Sequence, residues 1–211
     1  SDRRYFRNGR RSLRELEMPA RTPNILLVGC GRMGSALLHG WKSSSVYADI
    51  VVVEPSSAVT GHKAVTSKKE IPESFSPDVI VFAVKPQTLP NIIGDYAVLA
   101  NNGAVTLSIV AGKNIGFFEK HLGSSSKIIR TMPNTPAAIG KGITVATANK
   151  NISAEDRKTA ETLLRAVGDC LWVENEQLLN PVTALSGSGP AYVFLLIEIL
   201  ARAGCRAGLA A

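Results

Sequence analysis

Cysteine and histidine are scarce, three of each in 211 residues. Cys30, Cys170 and Cys205 are too few for a disulfide scaffold and lack metal-ligand spacing, and His39, His62 and His121 are dispersed, so no metal site is expected. This cysteine usage suits a reducing compartment, and the expected localisation is cytoplasmic. Long apolar runs are missing too. The longest, residues 191–201, is eleven residues and contains Glu198, against the roughly 20 needed to cross a bilayer, so no membrane span is expected. The N-terminal arm has no apolar core, which excludes a secretory signal, and its acids argue against an organellar transit peptide.

Net charge is +7, but it is unevenly placed. In residues 1–17, Arg3, Arg4, Arg7, Arg10, Arg11 and Arg14 face only Asp2, Glu15 and Glu17, which gives +3 and leaves +4 for the other 194 residues. The body has no basic stripe interleaved with aromatics, so a nucleic-acid partner is not expected. Residues 1–23 read as a disordered basic leader, with Met18 as a plausible natural start.

The body alternates strand and helix patterns, the signature of a parallel sheet covered by helices. Continuous apolar runs at 24–29 and 78–84 suit buried parallel strands, with further strands at 50–54, 104–109, 127–131, 142–148 and 169–173. Met33, Leu37, Leu38 and Trp41 recur at helical spacing over 31–42; further helices are expected at 89–99, 114–121 and 154–166. Ser153 and Asp156 form a capping box before the last of these. Past Glu174 the alternation gives way to helical patterning. The expected architecture is α/β, a Rossmann-type doubly wound sheet over 24–173, followed by an all-helical segment over 174–211.

The first chemical motif is Gly29-Cys30-Gly31-Arg32-Met33-Gly34, a G-x-G-x-x-G at a strand-to-helix junction. There Gly29 makes the tight turn, Gly31 lets backbone approach a pyrophosphate, and Gly34 lets helix pack on strand, while the helix N-terminus offers its amides to the phosphates. Glu54 ends the second strand, twenty positions beyond Gly34. An acid there accepts hydrogen bonds from the adenosine ribose and repels a 2'-phosphate, which favours NADH over NADPH. Ser56, Ser57, Lys63, Lys68 and Lys69 follow closely and offer phosphate contacts if the loop folds back.

Three later stretches, at 83–87 (AVKPQ), 130–137 (RTMPNTPA) and 185–192 (LSGSGPAY), follow the glycine motif in an order that resembles pyrroline-5-carboxylate reductases. The resemblance runs from residue 24 to the end. It implies a Rossmann domain, a helical C-terminal domain that dimerises, and reduction of a cyclic imino acid by NAD(P)H in proline biosynthesis. On that reading Ala83, Val84, Lys85 and Pro86 meet the cofactor at a strand's carboxyl end, with Pro86 opening the next helix. Asn134 sits in a proline-framed turn near the nicotinamide. Ser186, Ser188, Gly189 and Pro190 form a helix start suited to a substrate carboxylate. No general acid is identified; a serine or threonine hydroxyl is the expected type. The family continues past residue 211 with a loop that helps bind substrate across the dimer, so this sequence reads as truncated. Two alternatives stand beside this one. One is a β-hydroxyacid dehydrogenase relative, disfavoured because no lysine follows Lys158; the other is a dinucleotide-binding module without turnover.

Overall fold

The computed structural model describes residues 21–56 and 63–210. The arm, apart from 21–23, together with Ser57 and His62, lies outside the described residues. Eight strands form one sheet in the order β3-β2-β1-β4-β5-β6-β7-β8. These are β1 (Ile25–Val28), β2 (Ile50–Val53), β3 (Lys63–Val65), β4 (Val79–Phe82), β5 (Val105–Ser108), β6 (Lys127–Met132), β7 (Gly142–Ala148) and β8 (Gly168–Trp172). Strands β1 to β6 are parallel, in the order of a dinucleotide-binding sheet.

Two strands depart from the expected parallel pattern. Strand β7 is antiparallel to β6, and β8 runs parallel to β7. Residues 133–141 joining β6 to β7 hold only a 3-10 turn, Thr135–Ile139, which is too short for a crossover helix.

The apolar runs become strands because both faces of the sheet are covered. Ile25, Leu27, Val52 and Val81 pack on one side with α1 (Arg32–Ser44) and α5 (Ala154–Arg165). Leu26, Val28, Val53, Ile80 and Phe82 pack on the other with Leu89, Ile93, Tyr96 and Phe118. Trp41 of α1 is buried and donates its indole N–H to the Leu163 carbonyl of α5, 2.9 Å, so its one polar atom is satisfied. The Ser153–Asp156 capping box is formed.

The helix expected at 89–99 is broken into α2 (Leu89–Ile92), a 3-10 turn (Ile93–Tyr96) and α3 (Ala97–Asn101). Pro86 does not open it. It lies in the turn after β4, whose Lys85 carbonyl accepts from Thr88 and Leu89, and the proline in the first turn of α2 is Pro90. Next along the chain, α4 (Ile115–Leu122) is capped by the Asn114 side chain.

The C-terminal segment is α6 (Leu179–Val182), a π-helical turn (Thr183–Gly187) and α7 (Gly189–Arg206). Together with the preceding 3-10 turn these make one helical stretch, Glu176–Arg206, 31 residues with a mean hydropathy of 1.5 in its most apolar window. By length and composition alone it is long and apolar enough to cross a membrane, a test that the core helix of a soluble protein also passes. The apolar run at 191–201 lies within it; Arg202 ends that run and pairs with Glu198 one turn away.

Candidate functional site: a cleft at the carboxyl edge of the sheet

A cleft of about 590 Å³ opens where β1, β2, β3 and β4 end. The glycine loop forms its floor. Gly29 has φ +91°, and a side chain there would press within 3 Å of Ala83 and Val84. A Cβ on Gly34 would come within 2.5 Å of the Gly29 carbonyl oxygen, so this position needs glycine for helix to pack on loop. Gly31 differs, because a Cβ there would meet nothing within 4 Å. Its lack of a side chain serves no packing, and the space it leaves suits a phosphate group approaching the backbone. It is also the N-cap of α1, with no side-chain cap and no acid in the first turn, so no carboxylate there competes with a phosphate.

Glu54 stands across the loop. One of its oxygens accepts from the Cys30 N–H at 2.7 Å, and the other accepts from the Ser56 N–H at 3.1 Å and the Ser56 hydroxyl at 3.0 Å. Partial burial pushes this carboxyl upward, but the three hydrogen bonds outweigh it and hold Glu54 below the usual carboxylate range. The cleft therefore presents a fixed anion at neutral pH.

The lining brings together Gly29, Cys30, Gly31, Glu54, Ser56, Lys68, Ala83, Val84 and Lys85. Arg32, Met33, Gly34 and Pro86 lie outside it: Arg32 is exposed on α1, and Met33 packs against the core. Lys63 pairs with Asp49 at 2.6 Å, leaving Lys68 as the lysine of the 63–69 segment that lines the cleft. Thr88, Ile92, Asp95 and Tyr96 complete the wall and were not singled out from the sequence.

The other two blocks meet each other at a second place on the same edge. Asn134, just past β6, accepts from the Ile143 N–H with its side-chain oxygen, 2.9 Å, and donates to the Ser186 hydroxyl, 3.3 Å. A helix does begin within the block expected at 186–190: α7 starts at Gly189, with Ser188 in the N-cap position and Pro190 in the first turn, but it follows directly on the π-helical turn Thr183–Gly187. Ser188 donates its N–H to the Thr183 carbonyl at 3.0 Å, five residues back, and its hydroxyl reaches the same oxygen at 3.3 Å. The helix thus runs through this block by adding one residue to a turn, which eases the Pro190 ring past the preceding carbonyls. Ser186, Ser188, Gly189 and Pro190 are half-buried where the π-helical turn meets α7.

Sequence reasoning also missed an ion pair at the seam. The Arg130 guanidinium of β6, 7% exposed, donates to Glu176 at 2.9 Å, and the same Glu176 oxygen accepts from the Ile115 N–H at 2.8 Å. An arginine in the middle of a buried strand is the available signal, since such a charge is seldom buried without a partner.

The sheet order, the glycine loop and the acid opposite it define an NAD(P)-binding oxidoreductase of the Rossmann type. Residues 24–112 match the family model described as NADP oxidoreductase, coenzyme F420-dependent, and residues 176–211 match the model for pyrroline-5-carboxylate reductase dimerisation. The pyrroline-5-carboxylate reductase of Pseudomonas aeruginosa is 35% identical over 194 residues, covering 89% of this chain and 71% of that protein. That of Synechocystis is 38% identical, covering 87% and 70%. The crystal structure of Plasmodium falciparum pyrroline carboxylate reductase with NADP bound superposes with a TM-score of 0.82 at 33% identity, over 89% of this chain and 71% of that one. The chain belongs to the pyrroline-5-carboxylate reductase family. Prephenate dehydrogenase of A. aeolicus, TM-score 0.65 at 18% identity, shares the fold alone.

Proposed function

We propose that this protein reduces 1-pyrroline-5-carboxylate to L-proline with NAD(P)H, the last step of proline biosynthesis, as a cytoplasmic homo-oligomer. The observation that carries the reading is the division of roles among the glycines. Gly29 and Gly34 are needed by the fold, while Gly31 is needed by nothing in the protein and leaves room for a pyrophosphate. We assign residues 24–173 to dinucleotide binding and 174–211 to dimerisation.

When bound, the reduced nicotinamide supplies a hydride to C5 of the ring C=N, and with a proton on nitrogen the product is the secondary amine. The work left to the protein is orientation, worth several powers of ten when the reacting atoms are held about 3 to 3.5 Å apart. In this reading Gly31 takes the pyrophosphate with the first turn of α1, where Arg32, Met33 and Gly34 set the helix against the loop, while the Gly29 and Cys30 N–H groups, bonded to the Val53 carbonyl and to Glu54, hold the loop in shape. Glu54 takes the adenosine ribose. Ala83, Val84 and Lys85, with Pro86 shaping the turn, lie along the dinucleotide between its two halves. Asn134, Ser186, Ser188, Gly189 and Pro190 form the substrate side, and the Asn134–Ser186 hydrogen bond supports this by tying the two blocks to one seam. Burying α7 against a second copy completes that side.

We infer a preference for NADH. The Glu54 carboxylate is held ionised where a 2'-phosphate would lie, and a like charge at close range is repelled. Lys68 opposes this but is exposed and more easily screened. Imine-dependent oxidation of NADH and NADPH, followed at 340 nm with proline quantified, tests the whole reading. Proline formed one-for-one with oxidised cofactor, faster with NADH, is the expected result. Absence of imine-dependent oxidation with both cofactors would overturn the activity, and equal or better kcat/KM with NADPH would overturn the preference.

A further inference from the structure

Tyr96 is the buried residue of the cleft lining with a polar side chain that the reading above does not use. It is 2% exposed, and its ring packs edge-on against Phe82 with centroids 5.4 Å apart. The core around it includes Val28 and Val53, the last residues of β1 and β2. A buried phenol ordinarily finds a hydrogen-bond partner. Among the described residues no group bonds to this hydroxyl, and it is not among the fully enclosed unpaired atoms, of which Thr106 is the case. The residual exposure of Tyr96 falls on the cleft that it lines.

The place of Tyr96 along the cleft selects which half of a dinucleotide it meets. The cleft is lined by the ends of β1 to β4 and by Thr88, Ile92, Asp95 and Tyr96, with no residue of β5, β6 or β7. The Asn134 seam, where the nicotinamide and substrate belong, follows β6. Glu54 marks the adenosine ribose. The cleft on its far side is lined by the polar Ser56, Thr66, Ser67 and Lys68 and by the apolar Val84, Ile92 and the Tyr96 ring, a mixed lining that suits a heteroaromatic base with an apolar face and a polar edge.

We propose that the Tyr96 hydroxyl is a positioning donor for the adenosine half of the cofactor, bonding an acceptor nitrogen of the adenine at the floor of this subsite. The inference rests on the cofactor reading above. Adenine offers only acceptors at its ring nitrogens, and the phenol stays a donor across the physiological range. Burial, with the charge of Asp95 adding to it, pushes its pKa up to about 12. The bond would fix the adenine end, so its loss weakens binding of the whole dinucleotide without touching the nicotinamide.

Calorimetry with ADP-ribose and with reduced nicotinamide mononucleotide separates the halves. Tyr96→Phe keeps the ring on Phe82 and removes one oxygen. The expected result is about tenfold weaker binding of ADP-ribose, the scale of one neutral hydrogen bond, with mononucleotide binding and Tm unchanged. In unmodified protein carrying 13C-labelled tyrosine, ADP-ribose should also shift the Tyr96 Cζ resonance. Wild-type affinity of Tyr96→Phe for ADP-ribose, or equal weakening for both probes, would overturn the proposal. If wild-type protein binds neither ADP-ribose nor NADH, the cofactor reading fails first and this inference with it.

Discussion

In β1, β2 and β4 every residue is buried, whereas in α7 none is: Tyr192, Phe194, Leu196 and Leu200 stand 57–65% exposed. Both segments are rich in large apolar side chains, and what separates them is supply of a partner. The sheet finds its partners within residues 24–173, on two faces, and the cleft at its edge is shaped by that packing. The helix has no such partner among the described residues. Each large side chain left bare forgoes roughly 1.5–3 kcal/mol of burial, so a contiguous face of this kind calls for an outside surface. The match of residues 176–211 to a dimerisation family says what kind of surface that is in relatives. On the proposed reading, the cofactor side is complete in one copy and the substrate side depends on a helix that needs a second.

Substitutions within the glycine loop sharpen this contrast most. Gly31→Val places a side chain in the open cleft and should cost at least 100-fold in NADH affinity with Tm unchanged, whereas Gly34→Val collides with the Gly29 carbonyl and should lower stability by about 1–3 kcal/mol. Fluorescence titration and thermal melts on both proteins check the pair. Equal effects of the two on Tm would break the distinction between a binding glycine and a packing glycine.

The seam between the two regions comes next. Glu176→Ala strips the partner from the buried Arg130 guanidinium and an acceptor from the Ile115 N–H, and should destabilise by about 2 kcal/mol, below the full cost for a sealed pair because Glu176 is partly exposed. Chemical denaturation measures it, and Glu176→Gln should recover part of the loss by keeping the acceptor.

Smaller effects belong to Glu54. Glu54→Gln should raise the NADPH-to-NADH ratio of kcat/KM by about tenfold, the size of one removed charge repulsion in a partly solvated site. It should also alter the acid limb of stability. Because the folded-state pKa lies below the ordinary value of 4.5, the native carboxylate contributes stability that is present above that value and is lost as pH falls through the folded one. The variant should therefore show a slightly flatter loss of stability below about pH 4.5, measured by urea denaturation at pH steps from 6 to 3.

Much of the sheet was legible because buried parallel strands must be apolar on both faces, and short runs rich in β-branched residues such as ILLV and VIVF, bounded by turn residues, meet that requirement. Strand β3 carries no legible strand pattern, since Lys63 and Ala64 face solvent at the sheet's edge. The helix over 89–99 was drawn unbroken because its periodicity survives the 3-10 turn at Ile93–Tyr96. The block at 186–190 does open a helix at Gly189, but its glycines and proline carry no sign of the helical turns that precede it, where the Ser188 N–H bonds five residues back to Thr183. The cofactor loop could be read from spacing. Tyr96 and Arg130 could not be assigned the same way, since what matters in each is the presence or lack of a partner brought in by tertiary packing.

The dependence of the substrate side on a second copy is tested most directly by placing two charges on the bare helix, Phe194→Glu with Leu200→Glu, both exposed in one chain and tolerated there. Sedimentation equilibrium should then find a monomer that binds NADH within about twofold of wild type but reduces pyrroline-5-carboxylate at least 100-fold more slowly, the scale lost when a positioning shell is removed. A monomer with wild-type turnover, or a dimer that survives both charges, would contradict the account.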